Sequence, residues 1–350
     1  MNSLNQKLKN KNRNKLYLIL LVCLYSLFVV FNSQKLFQKF DPQIIERYLR
    51  SQDIEDRENK IKDRIIISDE EIYIASGHLY VNGAEPVDYN FQHPPFIKYL
   101  YGISVKYFDI PLLPNVFLGL ILLFEAYFLG KLIFKDDLVG FLASTLLLID
   151  PVFKEVTTYA LLDLGQIVLL LAFIISTTVK GYTLQGILLG LLFASKFYSP
   201  IFIFLFLYYI HKLINKELDI KKEIKVITIS LIVFYLTYFL KINPIEFIFL
   251  QAKIVKFMLD HNQASIVGGV TKMFFGGYYL WPILFFANIF VLLNEKFMSL
   301  KFFYCLVPIA YLLVMIFQIP FTRYFILLLP FLYLSAANII INVPKNVHNT

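Results

Sequence analysis

Residues 66–77 read IISDEEIYIASG and set three carboxylates, Asp69, Glu70 and Glu71, side by side in a chain that is otherwise strongly apolar. Twenty-four residues after Asp69 comes HPPFIK, 93–98, in which His93 and Lys98 bracket two prolines. Where these polar stretches lie relative to the apolar runs around them decides the fold. Of the 350 residues, 58% are hydrophobic, 17% aromatic and only 17% charged, against about 25% charged in an ordinary soluble domain. Apolar runs near the roughly 20 residues that cross a hydrocarbon core recur from residue 16 to residue 342. The chain therefore reads as an all-α polytopic membrane protein.

The first apolar run, Leu16 to Phe31, follows the basic stretch KLKNKNRNK, as in a signal peptide, but no small-x-small cleavage site follows VVFNSQ. It is expected to be an uncleaved first helix. Cys23 and Cys305 both sit inside apolar runs, so neither a disulfide framework nor a thiolate metal site is implied. The net charge of +8 comes from short Lys and Arg clusters between apolar segments. Such clusters are orientation signals rather than a nucleic-acid surface.

Applied along the chain, the positive-inside rule puts residues 1–15 in the cytoplasm and makes 16–32 the first transmembrane helix. Residues 33–110 become a long extracytoplasmic loop, 111–342 a transmembrane bundle with an outer loop at 242–275, and 343–350 a cytoplasmic tail. Between residues 33 and 95 lie twelve acids and eight bases, as suits a translocated segment. Its stretch from Pro42 to Asp63 reads as a solvated helix with Ile44, Ile45, Tyr48 and Leu49 as the apolar stripe. With the first helix, ten apolar segments are expected: the later nine begin near residues 112, 138, 158, 183, 199, 225, 276, 302 and 323. Counting Pro94 to Ile110 as a further crossing would invert every later basic cluster. That segment places Lys98, Gly102, Lys106 and Asp109 on one face, the pattern of an interfacial helix lying along the membrane surface.

With this topology the outer face collects Asp69, Glu70, Glu71, His93, Lys98, Glu155, Asp163, Lys196 and Arg323. Asp163, read as about two turns into an apolar helix, costs about 2.5–3.5 kcal/mol on insertion scales and so should face a polar cavity. Each feature also has a purely structural reading. An acidic run is commonly a solvated loop, prolines suit the first turn of a helix, and a lysine near lipid commonly snorkels.

Read in order, Asp69-Glu70, Tyr73, Asn82-Gly83 and His93-Pro94-Pro95 with Lys98 resemble the first outer loop of the protein O-mannosyltransferase family. More broadly they resemble GT-C polyprenyl-phosphate-sugar transferases, including the lipid A aminoarabinose transferases. TYALLDLGQIVLLLAF resembles the second acidic site, with Asp163 in its place, and GLLFASK the segment ending in a lysine, here Lys196. MLDHNQ and YYLWPI resemble a degenerate late-loop signature, giving His261, Trp281 and Pro282, and RYFILLLPFLY the closing helix with Arg323 at its outer end. The chain departs from the pattern in an insertion of about 35 residues before Asp69, in a sparser late loop, and in having no expected counterpart of the eukaryotic lumenal domain after the tenth helix.

The resemblance implies a GT-C-like bundle that transfers a sugar from a polyprenyl-phosphate donor, with inversion, to a hydroxyl on a protein, glycolipid or glycan. Asp69 would be the general base, Glu70 would orient the loop, and Lys98, Lys196 and Arg323 would stabilise the leaving phosphate. His93 and His261 would line the substrate site. Asp163 would bind sugar or acceptor, or help Asp69 hold a divalent cation, Mg or Mn, an alternative left open. The rival class is a lipid-linked-sugar flippase or small-molecule transporter, but no repeat of halves is visible.

Overall fold

The structure, a computed structural model, describes residues 2–54, 64–178, 181–238, 242–261, 280–315 and 321–347. Every apolar run carries a helix. After α1 (Asn2–Phe31) come two short helices, α2 (Ser33–Leu36) and α3 (Gln43–Leu49), then α4 (Asp69–Val81) and α5 (Phe96–Phe108). The bundle continues with α6 (Leu113–Phe134), α7 (Asp137–Leu148), α8 (Pro151–Thr158), α9 (Leu162–Ser176), α10 (Tyr182–Phe193), α11 (Ser199–Ile214) and α12 (Ile220–Leu236). It ends with α13 (Pro244–His261), α14 (Leu280–Asn294), α15 (Leu300–Met315), a 3-10 turn (Thr322–Leu327) and α16 (Leu329–Val347). Among the described residues the only β pairing is an isolated parallel bridge between Ser51 and Ile65.

The protein is helical and membrane-embedded. Asn12–Phe31 within α1 and the whole of α6 are long and apolar enough to cross a bilayer, and α8 with α9 would make a third span across a 110° bend. Six shorter apolar helices accompany them: α7, α10, α11, α14, α15 and α16. α9 is apolar on nearly all sides, so it occupies the centre, where its residues from Leu162 to Leu171 are all buried.

The acidic run begins α4. Ser68 caps that helix: its hydroxyl accepts from the Glu71 backbone N–H at 3.3 Å, and the Glu71 carboxylate accepts from the Ser68 N–H at 3.1 Å. This reciprocal box satisfies two donors that a helix start leaves unpaired. All three acids also lie at the positive end of the helix dipole.

α4 and α5 then cross at glycines. A Cβ on Gly77 would lie 2.0 Å from the Lys98 carbonyl oxygen, and one on Gly102 would lie 2.0 Å from that of Gly77. Only glycine permits this approach. The face carrying Lys98 and Gly102, expected to lie on the membrane surface, is therefore turned into α4, while Lys106 and Asp109 remain exposed.

The chain breaks between α8 and α9 at residues 159–161, and the break is fully supported. The Asn115 amide donates to the carbonyls of Tyr159 (2.7 Å) and Thr157 (3.1 Å), and the Tyr101 hydroxyl lies 2.9 Å from that of Leu161. Irregular backbone inside a membrane protein persists only with such partners. Two expectations change here. Asp163 lies in the first turn of α9 rather than two turns in, and Arg323 lies in the 3-10 turn rather than in the closing α-helix. Of the helix expected from 42 to 63, the described residues up to 54 carry only α3, and residues 55–63 lie outside the described residues.

α6 joins the two ends of the bundle. Asn115, in its first turn, holds the α8–α9 break, and Lys131, in its last turn, pairs with Asp137 at 3.1 Å, beside Arg13 at 3.4 Å. Twenty-two helical residues span about 33 Å, close to a hydrocarbon core.

Candidate functional site

Four charged side chains from four parts of the chain meet beside the α8–α9 break. Asp69 opens α4, Asp163 opens α9, Lys196 follows α10, and Arg323 comes from the 3-10 turn. The Arg323 guanidinium donates through Nη2 to Asp69 Oδ2, and its Nε lies 3.8 Å from Asp163 Oδ2. Lys196 Nζ donates to Asp163 Oδ1 at 2.5 Å. Two cations thus meet two carboxylates, which answers the cost of carrying Asp163 in an apolar helix. Lys196 also lies over the Tyr324 ring, 4.2 Å from its centre, a favourable cation–π position.

The two carboxylates differ in access. The Asp163 side chain is 2% exposed and that of Asp69 41%, so Asp69 is the one an incoming molecule can reach. Burial opposes the charge on Arg323, but Asp163 and Asp69 outweigh it and raise the guanidinium further above its ordinary range. It stays charged at any physiological pH. Arg323 Nε makes no hydrogen bond and is buried, so one of its N–H groups is unspent.

His93 borders the cluster, its ring edge-on to Tyr73 at 5.8 Å. Burial holds its imidazole well below the usual value, and Lys98, Lys196 and Arg323 push the same way. His93 is therefore neutral, with Nδ1 buried and unpaired.

Glu70 accepts from Lys35 at 3.1 Å and from the Ala160 backbone N–H at 3.2 Å. It ties α4 to α2 and to the break, a positioning role. Glu71, besides capping α4, accepts from Arg47 at 2.8 Å. The three adjacent acids thus have three separate tasks.

Lys98 is placed otherwise than expected. It is completely buried, and its ammonium donates to the carbonyls of Asn90 (2.8 Å) and His93 (2.7 Å). The Asn90 side-chain oxygen and the Tyr80 hydroxyl complete its surroundings, each at 3.0 Å. Lys98 thus locks the segment carrying His93 instead of facing a phosphate. The side chain of His261 lies outside the described residues.

Among the described residues, no three His, Cys, Asp or Glu side chains gather as a metal ion would need. The Arg323 guanidinium already supplies the cation between Asp69 and Asp163. As arranged, the pair does not fit Mg or Mn.

Sequence reading passed over Asp150. It caps α8, accepting from the Val152 N–H at 2.7 Å, and also accepts from Tyr333 at 2.6 Å and Trp281 at 3.5 Å. Trp281 in turn stacks on Phe325 at 3.9 Å, inside the 3-10 turn that carries Arg323. The signal was present, because Asp-Pro is a helix-start pair.

No family model matches the sequence. No curated protein matches it either. The fold, however, is similar to that of ArnT from Cupriavidus metallidurans. The apo crystal structure of that protein superposes with a TM-score of 0.63 over 94% of this chain, at 13% identity. Its undecaprenyl-phosphate-bound structure gives 0.60 over 89%, at 14% identity. The chain spans about three fifths of the length of these structures, 61% and 59%. An all-α membrane fold like that of ArnT, in keeping with the resemblance in the sequence, is thus present.

Proposed function

We propose that the protein is an inverting glycosyltransferase that moves a sugar from a polyprenyl-phosphate donor to a hydroxyl acceptor at the outer face of the cell membrane. The observation that carries this reading is the Asp69–Arg323–Asp163–Lys196 cluster in a chain with the ArnT fold. The acceptor hydroxyl attacks the anomeric carbon. A new C–O bond forms as the bond from that carbon to the phosphate oxygen breaks, and the electron pair leaves with the polyprenyl phosphate. The hydroxyl proton passes to Asp69, the accessible carboxylate.

Arg323 and Lys196 would meet the charge growing on the phosphate, with the unspent Arg323 Nε–H as a ready donor. Asp163 would hold both cations in place. Supporting the lipid-linked donor is a cavity of about 670 Å³ between α10, α11 and α12, walled by apolar side chains including Phe193, Phe202 and Phe234. Phe193 and Tyr198, both in that wall, flank Lys196 in sequence, so a lipid tail lying there would bring its phosphate toward the cluster. That ArnT binds undecaprenyl phosphate agrees with this class of donor.

The topology that goes with this reading has ten crossings, α4 and α5 outside, and the Arg13–Asp137–Lys131 end in the cytoplasm. The acceptor is a protein, glycolipid or glycan. The test is to incubate the purified protein with polyprenyl-phosphate-linked sugars and membrane or envelope extracts, and to identify the glycosylated product by mass spectrometry. A product of inverted anomeric configuration is expected, whereas no sugar-modified product from any lipid-linked donor contradicts the proposal.

A further inference from the structure

A second pocket lies on the other flank of the acidic run, built by the segment inserted between α1 and α4. It is an open pocket of about 260 Å³, somewhat below the roughly 300 Å³ at which drug-sized ligand pockets begin. Its polar wall carries three cations, Lys35, Lys39 and Arg47, and three carboxylates, Asp41, Glu70 and Glu71. Five of the six are tied to one another: Lys35 to Glu70 at 3.1 Å, and Arg47 to Glu71 at 2.8 Å and to Asp41 at 3.3 Å. Cations and carboxylates are equal in number, so the pocket offers an ionic ligand no net attraction.

We infer that this pocket binds the neutral sugar ring of the acceptor. The inference rests on the transferase reading above and adds the class of acceptor. A carboxylate has about four lone-pair positions, an ammonium three donors and a guanidinium five. Glu71 is fully engaged by Arg47 and Ser68, but Glu70 and Asp41 each accept only two bonds, so lone pairs on these two carboxylates and N–H groups of Lys35 and Lys39 remain for the neighbouring hydroxyls of a sugar. Ile44, Ile74, Pro111 and Leu112 give the same pocket an apolar side, as the C–H face of a sugar ring requires. A hydrophobic or charged ligand would waste one of the two surfaces. The position also fits, because Ser68 and Glu70, the neighbours of Asp69 on either side, both belong to the wall. Glu70 continues from the pocket to the α8–α9 break through Ala160. Asp69 itself is not in the wall, so an acceptor anchored here by one ring would reach the accessible carboxylate by extending past Ser68 and Glu70, as a chain of sugars or a glycolipid does.

The experiment uses the full-length protein in nanodiscs and saturation-transfer NMR. The probes are methyl glycosides of glucose, mannose, galactose and N-acetylglucosamine, with glucuronic acid and glucosamine as charged counterparts. At least one neutral glycoside should bind, and better than either charged sugar. Gln38 and Lys39 are exposed at the pocket rim, so Gln38→Trp or Lys39→Trp fills the pocket without touching the core. Each should weaken glycoside binding at least tenfold, with the thermal midpoint and undecaprenyl phosphate binding unchanged. Preference for a charged sugar, absence of binding by every neutral glycoside, or full binding in both folded variants would overturn the inference. Failure of the transferase reading would look different: glycosides would still bind, but no lipid-linked sugar would be consumed.

Discussion

Arg323 reaches back across 254 positions of sequence to hold Asp69. The pairing joins the last part of the bundle to the first turn of α4 and fixes where the Asp69 carboxylate sits. The same guanidinium stands near Asp163, so one side chain sets the spacing of the two acids.

Asp69→Asn preserves size and can still accept a hydrogen bond from Arg323, but it cannot take a proton. Turnover should fall about 100-fold or more, the usual scale for losing a general base, with expression and polyprenyl phosphate binding retained. Steady-state rates of the variant check this. Near-normal turnover would assign the proton to another carboxylate.

Lys196 and Asp163 form a buried pair, their side chains 11% and 2% exposed. Breaking such a pair from one side costs up to about 3–5 kcal/mol when a charge is left without a partner, and less here because Arg323 still stands near Asp163. Lys196→Met should therefore lower the thermal midpoint, and the double variant Lys196→Met/Asp163→Leu should recover most of the loss. Equal destabilisation by the single and double changes would mean that the pair carries no such coupling.

Lys98 gives stability a pH dependence. Burial pulls its ammonium down to about 7, partly opposed by the charge of Asp53, whereas in an unfolded chain it titrates near about 10.4. Between these values the unfolded state holds the extra proton, so stability rises with pH, by up to about 1.4 kcal/mol per unit. Below about pH 7 both states are protonated and the slope from this residue disappears. Thermal unfolding from pH 6 to 9 should show the rise above 7 in the wild type and a flatter profile in Lys98→Met. Parallel profiles would contradict this assignment.

The proposed topology makes its own prediction. Reporter fusions after residue 155 should signal outside, and those after 135, 218 and 298 inside, because the first lies at the site end and the others at or beside Lys and Arg clusters. An inside signal at 155 would reverse the assignment of faces.

The charges of the site were legible because each stood out in an apolar run: Asp163, Lys196 and Arg323 have no reason to be there unless something meets them. Their mutual pairing was not legible, since it depends on contacts between parts of the chain far apart in sequence. Lys98 misled for a related reason. Spacing shows that Lys98 and Gly102 share a face, but only the glycine crossing with Gly77 shows what covers that face. The start of α9 was hidden because Tyr159, Ala160 and Leu161 continue the apolar run, while the groups that support the break, Asn115 and Tyr101, come from α6 and α5. Glu70 could be read as an orienting residue from its neighbours, but Lys35 and Ala160 as its partners could not.

The central claim is that the cluster around Asp69 cleaves a lipid-linked sugar rather than carrying it across the membrane. The direct measurement uses purified protein in liposomes containing a polyprenyl-phosphate sugar and follows free polyprenyl phosphate and transferred sugar together. The account predicts that the two appear in equal amounts and that Asp69→Asn slows both by about 100-fold or more. Movement of the intact lipid-linked sugar to the opposite leaflet, with no cleavage, would contradict it.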